Sequence, residues 1–322
     1  MPRACERFRK NTVLGAMLVV VVLSVLSLSS CGGVSNAIGG GSGGGGSNVE
    51  GPPRDTTPVV REVSQPGTAV VADERAVLDF SNAADGYICA LSNLDVVVKV
   101  LVDFKDVKYQ YTISSPGSFI VIPLSEGTGT YSVGVWQHVT GDSYAAVFSQ
   151  VIDAVITDEF SPFLYPNQFV NFTAGDPTTA MSQQLSEGSV TDVDAINNMY
   201  KWIADNFEYD MEKATTVASG YLPNNTETLS SMTGICFDVA VLTASMLRAQ
   251  RIPAQLVVGF SGPAYHAWIE VYAVDTGSVL RYTFRGNEWV EMDPTFDAAA
   301  ANAPALASVI GDGNSRQPML RY

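Results

Sequence analysis

Histidine, cysteine and positive charge are all scarce in this chain. Only two histidines, His138 and His266, occur among 322 residues, with four cysteines, Cys5, Cys31, Cys89 and Cys236. Soft ligands so few and so scattered exclude a zinc finger or a histidine-rich metal centre. No glycine-rich phosphate loop stands between a strand and a helix, so no metal and no cofactor are expected. Lysine and arginine number 18 against 33 acidic residues, a formal charge of -15. A surface that acidic repels nucleic acid and anionic lipid headgroups, and partners are expected to be basic or neutral. What is present is apolar: 46% of residues are hydrophobic and 16% charged, which at this length suits two folded domains.

Part of that hydrophobicity is at the N-terminus. Arg3, Arg7, Arg9 and Lys10 precede an apolar run over residues 13–28 that ends in LSSC at residues 28–31. A basic region, an apolar region and small residues before a cleavage point predict a signal peptide over residues 1–30. Small residues directly before Cys31 resemble a bacterial lipoprotein box, which makes Cys31 the lipidation site. The competing reading is an uncleaved transmembrane anchor, since the run is nearly long enough to span. Either way the remainder is expected outside the cytoplasm, held at the membrane. Without residues 1–30 the chain has 14 basic and 32 acidic residues, a formal charge of -18. Residues 31–58, rich in glycine and serine with Pro52 and Pro53 near the end, read as a flexible tether.

Residues 59–165 change character. AVLDF, YICAL, VVVKVLVDF, YQYTI, SFIVIPL, TYSVGVWQHV and SYAAVFSQVIDAVI alternate apolar and polar positions between turn formers such as SSPGS and HVTGDS. That spacing predicts an antiparallel β-sandwich domain of immunoglobulin-like size. His138, at a strand end beside a turn, reads as a surface histidine. Cys89, inside one of these strands, is not expected to form a disulfide with Cys236.

Residues 166–322 read differently again. Thr191 and Asp194 form a capping-box pattern ahead of Val193, Ile196, Tyr200, Ile203 and Phe207 at helical spacing. Residues 211–233 show no sustained period and read as a long loop, the kind that is often functional. In TGICFDVAVLTASMLRAQRIPAQLVVGF, Cys236 opens a helix apolar on nearly every face, which places that helix inside a domain. The helix start favours a thiolate at Cys236. His266 opens the strand HAWIEVY, and Asp293 closes a strand in EWVEMDPTF, where Pro294 ends the pairing. Residues 279–284 and 288–292 are expected as two strands joined by Arg285, Gly286 and Asn287 and completing the sheet of His266. After Phe296 a short helix is expected near Leu306. The order Cys, His, Asp suits a nucleophile, its base and a carboxylate that orients the base.

GICFD, RAQRIPAQLVVGF, HAWIEVY and WVEMDPTF, in that order over about residues 190–297, resemble the core of the transglutaminase-like superfamily. The resemblance implies an α+β fold, a transglutaminase/papain-like core with a central helix packed on an antiparallel sheet. It implies Cys236 as nucleophile, His266 as general base and acid, and Asp293 as the group holding the imidazole tautomer. Tyr209 and Asp210 fit a Tyr-Asp pair of the superfamily. Tyr221 and Trp268 are the aromatic residues placed near the substrate cleft, with core packing as the competing role for each. The sequence departs from the family at Arg251, where glycine is common after the helix, and at Gln255, where arginine is common. The implied activity is thiol-dependent acyl chemistry on protein or peptide amides at the cell surface, through a thioester. Hydrolysis and amine transfer both stay open, and so does a noncatalytic surface binding protein that keeps the fold.

Overall fold

The computed structural model describes residues 46–47, 49–302 and 315–322. Cys31, the signal segment and the expected helix near Leu306 lie outside the described residues. The described residues form one compact unit. Among the described residues no helix is long and apolar enough to cross a membrane.

The first half is all antiparallel strand. Val70–Ala72 (β1), Ala76–Asp79 (β2), Tyr87–Ser92 (β3) and Phe119–Pro123 (β6) form one sheet in the order β1-β2-β3-β6. Val98–Phe104 (β4), Val107–Ile113 (β5), Gly129–Thr140 (β7) and Ser143–Ala154 (β8) form another in the order β5-β4-β7-β8. Strict alternation produces this: along β4 Val98, Val100, Val102 and Phe104 are buried while Lys99, Leu101 and Asp103 are less so. The apolar faces of both sheets belong to one core cluster. Cys89 lies on the other face of β3, in a small separate cluster with Tyr87 and Val121.

The second half interleaves helices and short strands: Pro177–Ser186 (α1), Asp192–Asn206 (α2), Glu208–Tyr209 (β9), Met211–Thr216 (α3), Asn225–Ser231 (α4), Thr233–Gly234 (β10) and Cys236–Ala249 (α5). Then follow Ala254–Ser261 (β11), Ala264–Ala273 (β12), Thr276–Val279 (β13), Tyr282–Arg285 (β14), Glu288–Met292 (β15), Pro294–Asn302 (α6) and Arg316–Arg321 (β16). The central sheet is antiparallel, β15-β12-β11-β16, and α5 packs on β11 and β12. Every α5 residue from Asp238 to Ala249 is buried, as an apolar helix with no polar face requires. Helix α2 starts at the capping box, with Asp194 N–H donating to Thr191 Oγ1 at 3.1 Å and Thr191 N–H to Asp194 Oδ2 at 2.9 Å. Its stripe of Val193, Ile196, Met199, Tyr200 and Ile203 is fully buried.

Three stretches differ from the sequence expectation. Residues 211–233 contain α3 and α4, each capped by one side chain, Asp210 to Lys213 N–H and Asn224 to Thr226 N–H. Helices of six or seven residues are too short to show a period. Residues 279–284 are not one strand: Leu280 takes φ 47°, and β13 turns back as β14 to form a separate ribbon. Only β15 joins the sheet of His266. Residues 46–47 and 49–58, expected as the far end of a flexible tether, are strapped with Val59 along α2 and α5. Val59 N–H donates to Ala249 O at 2.8 Å and Arg54 Nη2 to Gln250 O at 2.8 Å, so the strap satisfies carbonyls left open at the end of α5. Arg251, left-handed at φ 64°, donates from Nη1 to Thr57 O at 2.6 Å. An arginine in that conformation costs about 1 kcal/mol relative to glycine, and its bonds to the strap offset part of the strain.

Candidate active site

Cys236 is the first residue of α5 and is partly exposed. Its placement depends on Asp238, one turn into the helix and fully buried. Asp238 Oδ2 accepts the Ile235 N–H at 2.9 Å and pairs with Lys213 Nζ at 2.7 Å. Its Oδ1 accepts the Tyr221 hydroxyl at 2.6 Å, and Lys213 Nζ donates to the same hydroxyl at 2.7 Å. One carboxylate thus caps the helix and pins the segment between α3 and α4 to it. Gly234 leaves room for this: a Cβ there would come within 2.8 Å of the Asp238 side chain. Strands β9 and β10 pair in parallel and set Tyr209 opposite Gly234. Burial, then the negative potential of Cys236 and Asp238, raises the Tyr209 hydroxyl well above its ordinary range. The Tyr209 hydroxyl therefore keeps its proton, within electrostatic reach of Cys236.

His266 enters from β12, opposite Gly259 of β11, with a side chain only 2% exposed. Its Nε2 donates to Asp293 Oδ2 at 2.8 Å, and its ring lies within electrostatic reach of the Cys236 thiol. Because Nε2 is committed to the aspartate, the sulfur takes Nδ1. Burial alone would lower the imidazole pKa. The hydrogen bond to Asp293, the neighbouring Cys236 sulfur and the charge of each reverse that and raise it to about 10. Asp293, 1% exposed, would be raised by burial, yet the His266 hydrogen bond and charge, the Arg316 charge and the Phe296 N–H hold it below the usual carboxylate range.

Asp293 divides its two oxygens between structure and site. Oδ1 accepts the Phe296 N–H at 2.9 Å and so caps α6, with Pro294 at the first helical position. Oδ2 accepts from His266 and, at 2.9 Å, from Arg316 Nη2. The backbone is held as well. Asp293 N–H donates to the Tyr282 hydroxyl at 3.0 Å, and Tyr282 and Tyr200 both donate to Asp297 Oδ2. The Asp-Pro turn expected from local sequence and the carboxylate that orients the imidazole are the same residue.

The structure brings Cys236, His266 and Asp293 together. It does not put Trp268 in a cleft. Trp268 is fully buried, its ring nearly parallel to that of His266 with centroids 6.2 Å apart. Residues 266 and 268 share one face of β12, opposite the face whose Ala267, Ile269 and Val271 join the main core cluster. Tyr221 is partly exposed, with its hydroxyl committed to Asp238 and Lys213. Its evident role is to anchor the 217–224 segment. His138 is on the exposed end of β7, its Nε2 2.9 Å from Gly141 O. Two site residues carry no local sequence signal. Arg316 arrives from β16 at the far end of the chain. Tyr265, 64% exposed, lies within electrostatic reach of the Cys236 sulfur and meets Phe260 edge-on, ring centroids 5.6 Å apart. Only its place next to His266 could have suggested it.

Residues 179–294 match the family model described as the transglutaminase-like superfamily. No curated protein sequence matches the chain. Similar solved structures include a candidate cysteine protease from Cytophaga hutchinsonii, 14% identical with TM-score 0.38, covering 79% of this chain and 74% of that one. Another is the periplasmic domain of TgpA from Pseudomonas aeruginosa bound to ethylmercury, 14% identical with TM-score 0.32, covering 79% of this chain and 89% of that one. Red sea bream transglutaminase is 13% identical with TM-score 0.28, covering 65% of this chain and 48% of that one. The segment from 179 to 294 that matches the transglutaminase-like superfamily model holds the sulfur, the imidazole and the carboxylate.

Proposed function

We propose that this protein is a membrane-anchored, extracytoplasmic thiol enzyme that acts on protein or peptide amides through a thioester at Cys236. One observation carries the reading: a buried His266 hydrogen-bonds the Asp293 carboxylate and lies within electrostatic reach of the Cys236 thiol. In the first step the proton of the Cys236–His266 pair rests on His266, and the sulfur attacks the amide carbon. The resulting oxyanion meets the Cys236 backbone N–H at the start of α5, with the Tyr209 hydroxyl as a second donor. Collapse of this intermediate breaks the C–N bond, and His266 delivers its proton to the departing amine. Asp293 holds the ring in the tautomer that points Nδ1 at sulfur. The thioester then passes its acyl group to water or to a second amine. His266 deprotonates either one.

The location rests on the basic and apolar segment before LSSC, with Cys31 as the lipid site. The substrate class follows from that location and from the acidity of the chain: peptides or protein chains at the cell surface, neutral or basic around the reacting amide. The test is incubation of the protein with a glutamine-containing peptide and a labelled primary amine. Amine incorporation assigns acyl transfer, and new N-termini or free ammonia without incorporation assign hydrolysis. Cys236→Ala should abolish whichever product forms. If it leaves both rates and cell-surface function unchanged, the protein is a noncatalytic scaffold.

A further inference from the structure

We infer that Arg316, carried in by the C-terminal strand β16, is a positioning residue for the cysteine–histidine pair and acts on it through Asp293. The inference rests on the thiol reading above and adds a residue outside the matched segment 179–294.

Three observations support it. First, Arg316 is 5% exposed and spans two carboxylates, with Nη2 2.9 Å from Asp293 Oδ2 and Nη1 2.9 Å from Glu291 Oε1. It therefore binds the same oxygen that His266 binds. Second, its guanidinium carbon lies over the Trp268 ring, 5.4 Å from the centroid, and that ring in turn lies nearly parallel to His266. The indole fixes the separation of the two cations that share one carboxylate. Third, the backbone is adapted to bring Arg316 this close. Strand β16 pairs with β11 through Ser261↔Arg316, and the register shifts at Val258/Gly259. At Gly259 a Cβ would come within 2.1 Å of the Gln317 carbonyl oxygen, so only glycine admits the strand.

A fork that satisfies two carboxylates at once is arginine geometry. It holds the same Asp293 Oδ2 that His266 binds, so the imidazole meets one carboxylate orientation. Its charge also keeps Asp293 ionised. Besides His266 and Cys236, the titratable groups facing Asp293 are Glu291 of β15, Asp297 of α6 and the phenols of Tyr200, Tyr209 and Tyr282. All of these are acids. Among the described residues Arg316 is the permanent cation on that carboxylate.

The test is the pH dependence of Cys236 alkylation by iodoacetamide in the full-length protein, read at the Cys236 peptide by mass spectrometry. Removing the cation makes Asp293 easier to protonate. The acid-side midpoint of His266-dependent alkylation in Arg316→Gln should therefore move up by about one pH unit. Arg316→Lys keeps the charge but not the fork. It should hold the wild-type midpoint and lose several-fold in plateau rate, and it keeps the test decisive if the glutamine variant does not fold. A folded Arg316→Gln with an unmoved midpoint overturns the inference, as does an Arg316→Lys with a moved midpoint or a full plateau rate. Wild-type Cys236 labelling no faster than Cys89 would defeat the thiol reading itself, a result distinguishable from either.

Discussion

Between the strands of residues 70–154 the buried side chains are apolar, among them Leu78, Ile88, Val100, Ile122 and Val133. A buried exception, Asp79, uses its oxygens on the N–H groups of Gly67 and Ser81 in a turn. Residues 179–322 bury Asp238, Arg248, His266 and Asp293, each nearly or wholly removed from water. Burying an ion costs several kcal/mol unless a partner compensates. In the second half each carboxylate has a cation, Lys213 on Asp238 and His266 with Arg316 on Asp293, and both lead to Cys236. Side chains of the two halves join one apolar cluster, with Tyr322 packed edge-on against Tyr109 at 5.4 Å and against Phe169 at 4.3 Å. The same core can therefore serve two purposes. Stability alone needs only apolar burial, while the paired charges are where chemistry is held.

The two free cysteines among the described residues give the widest contrast. Cys236→Ala should lower turnover by at least about a thousandfold, the scale of losing a nucleophile. Cys89→Ala should leave turnover within about twofold. Its thiol is buried among apolar side chains, which raises its pKa to about 12 and keeps it unreactive at neutral pH. A matched pair of rate measurements checks both. Asp293→Asn comes next, with a loss of about a hundred- to a thousandfold in kcat/KM, since the amide no longer enforces the tautomer. Helix α6 should persist because asparagine still caps it.

Much of this centre could be read in the sequence because each of its three residues sits in a local pattern. Cys236 opens an apolar helix, His266 opens an alternating strand and Asp293 precedes a proline. Arg316 could not be read, because its contact with Asp293 crosses 23 residues and depends on β16 pairing with β11. The strap at residues 46–59 reads as coil from its glycine and proline content. Its bonds join backbone groups to the end of α5, and composition carries no trace of them. The turn at Leu280 offers no glycine, asparagine or proline to announce it. Trp268 was open to two roles until packing placed it behind the imidazole.

Breaking the second charged pair should affect stability more than chemistry alone would suggest. Asp238→Ala leaves Lys213 unpaired and the Ile235 N–H without its acceptor, and should cost about 3 kcal/mol in a denaturant titration. The N-terminal half offers no substitution of that kind. The His266 pKa of about 10, above its unfolded value of about 6.5, adds a pH signature. A raised folded pKa contributes stability that is full below the unfolded value and is lost as pH climbs toward the folded one. The melting temperature should therefore fall between about pH 6.5 and 10 by more in the wild type than in His266→Gln. Thr191→Ala should have the smallest effect, about 1 kcal/mol from loss of the α2 cap, with kcat unchanged.

Iodoacetamide labelling at pH 7 of the wild type beside His266→Ala tests the central claim most directly. Cys236 should react at least about tenfold faster in the wild type than in the variant, and far faster than Cys89 in either. Equal, slow labelling of Cys236 in both proteins would contradict the account, because the sulfur would then owe nothing to the imidazole beside it.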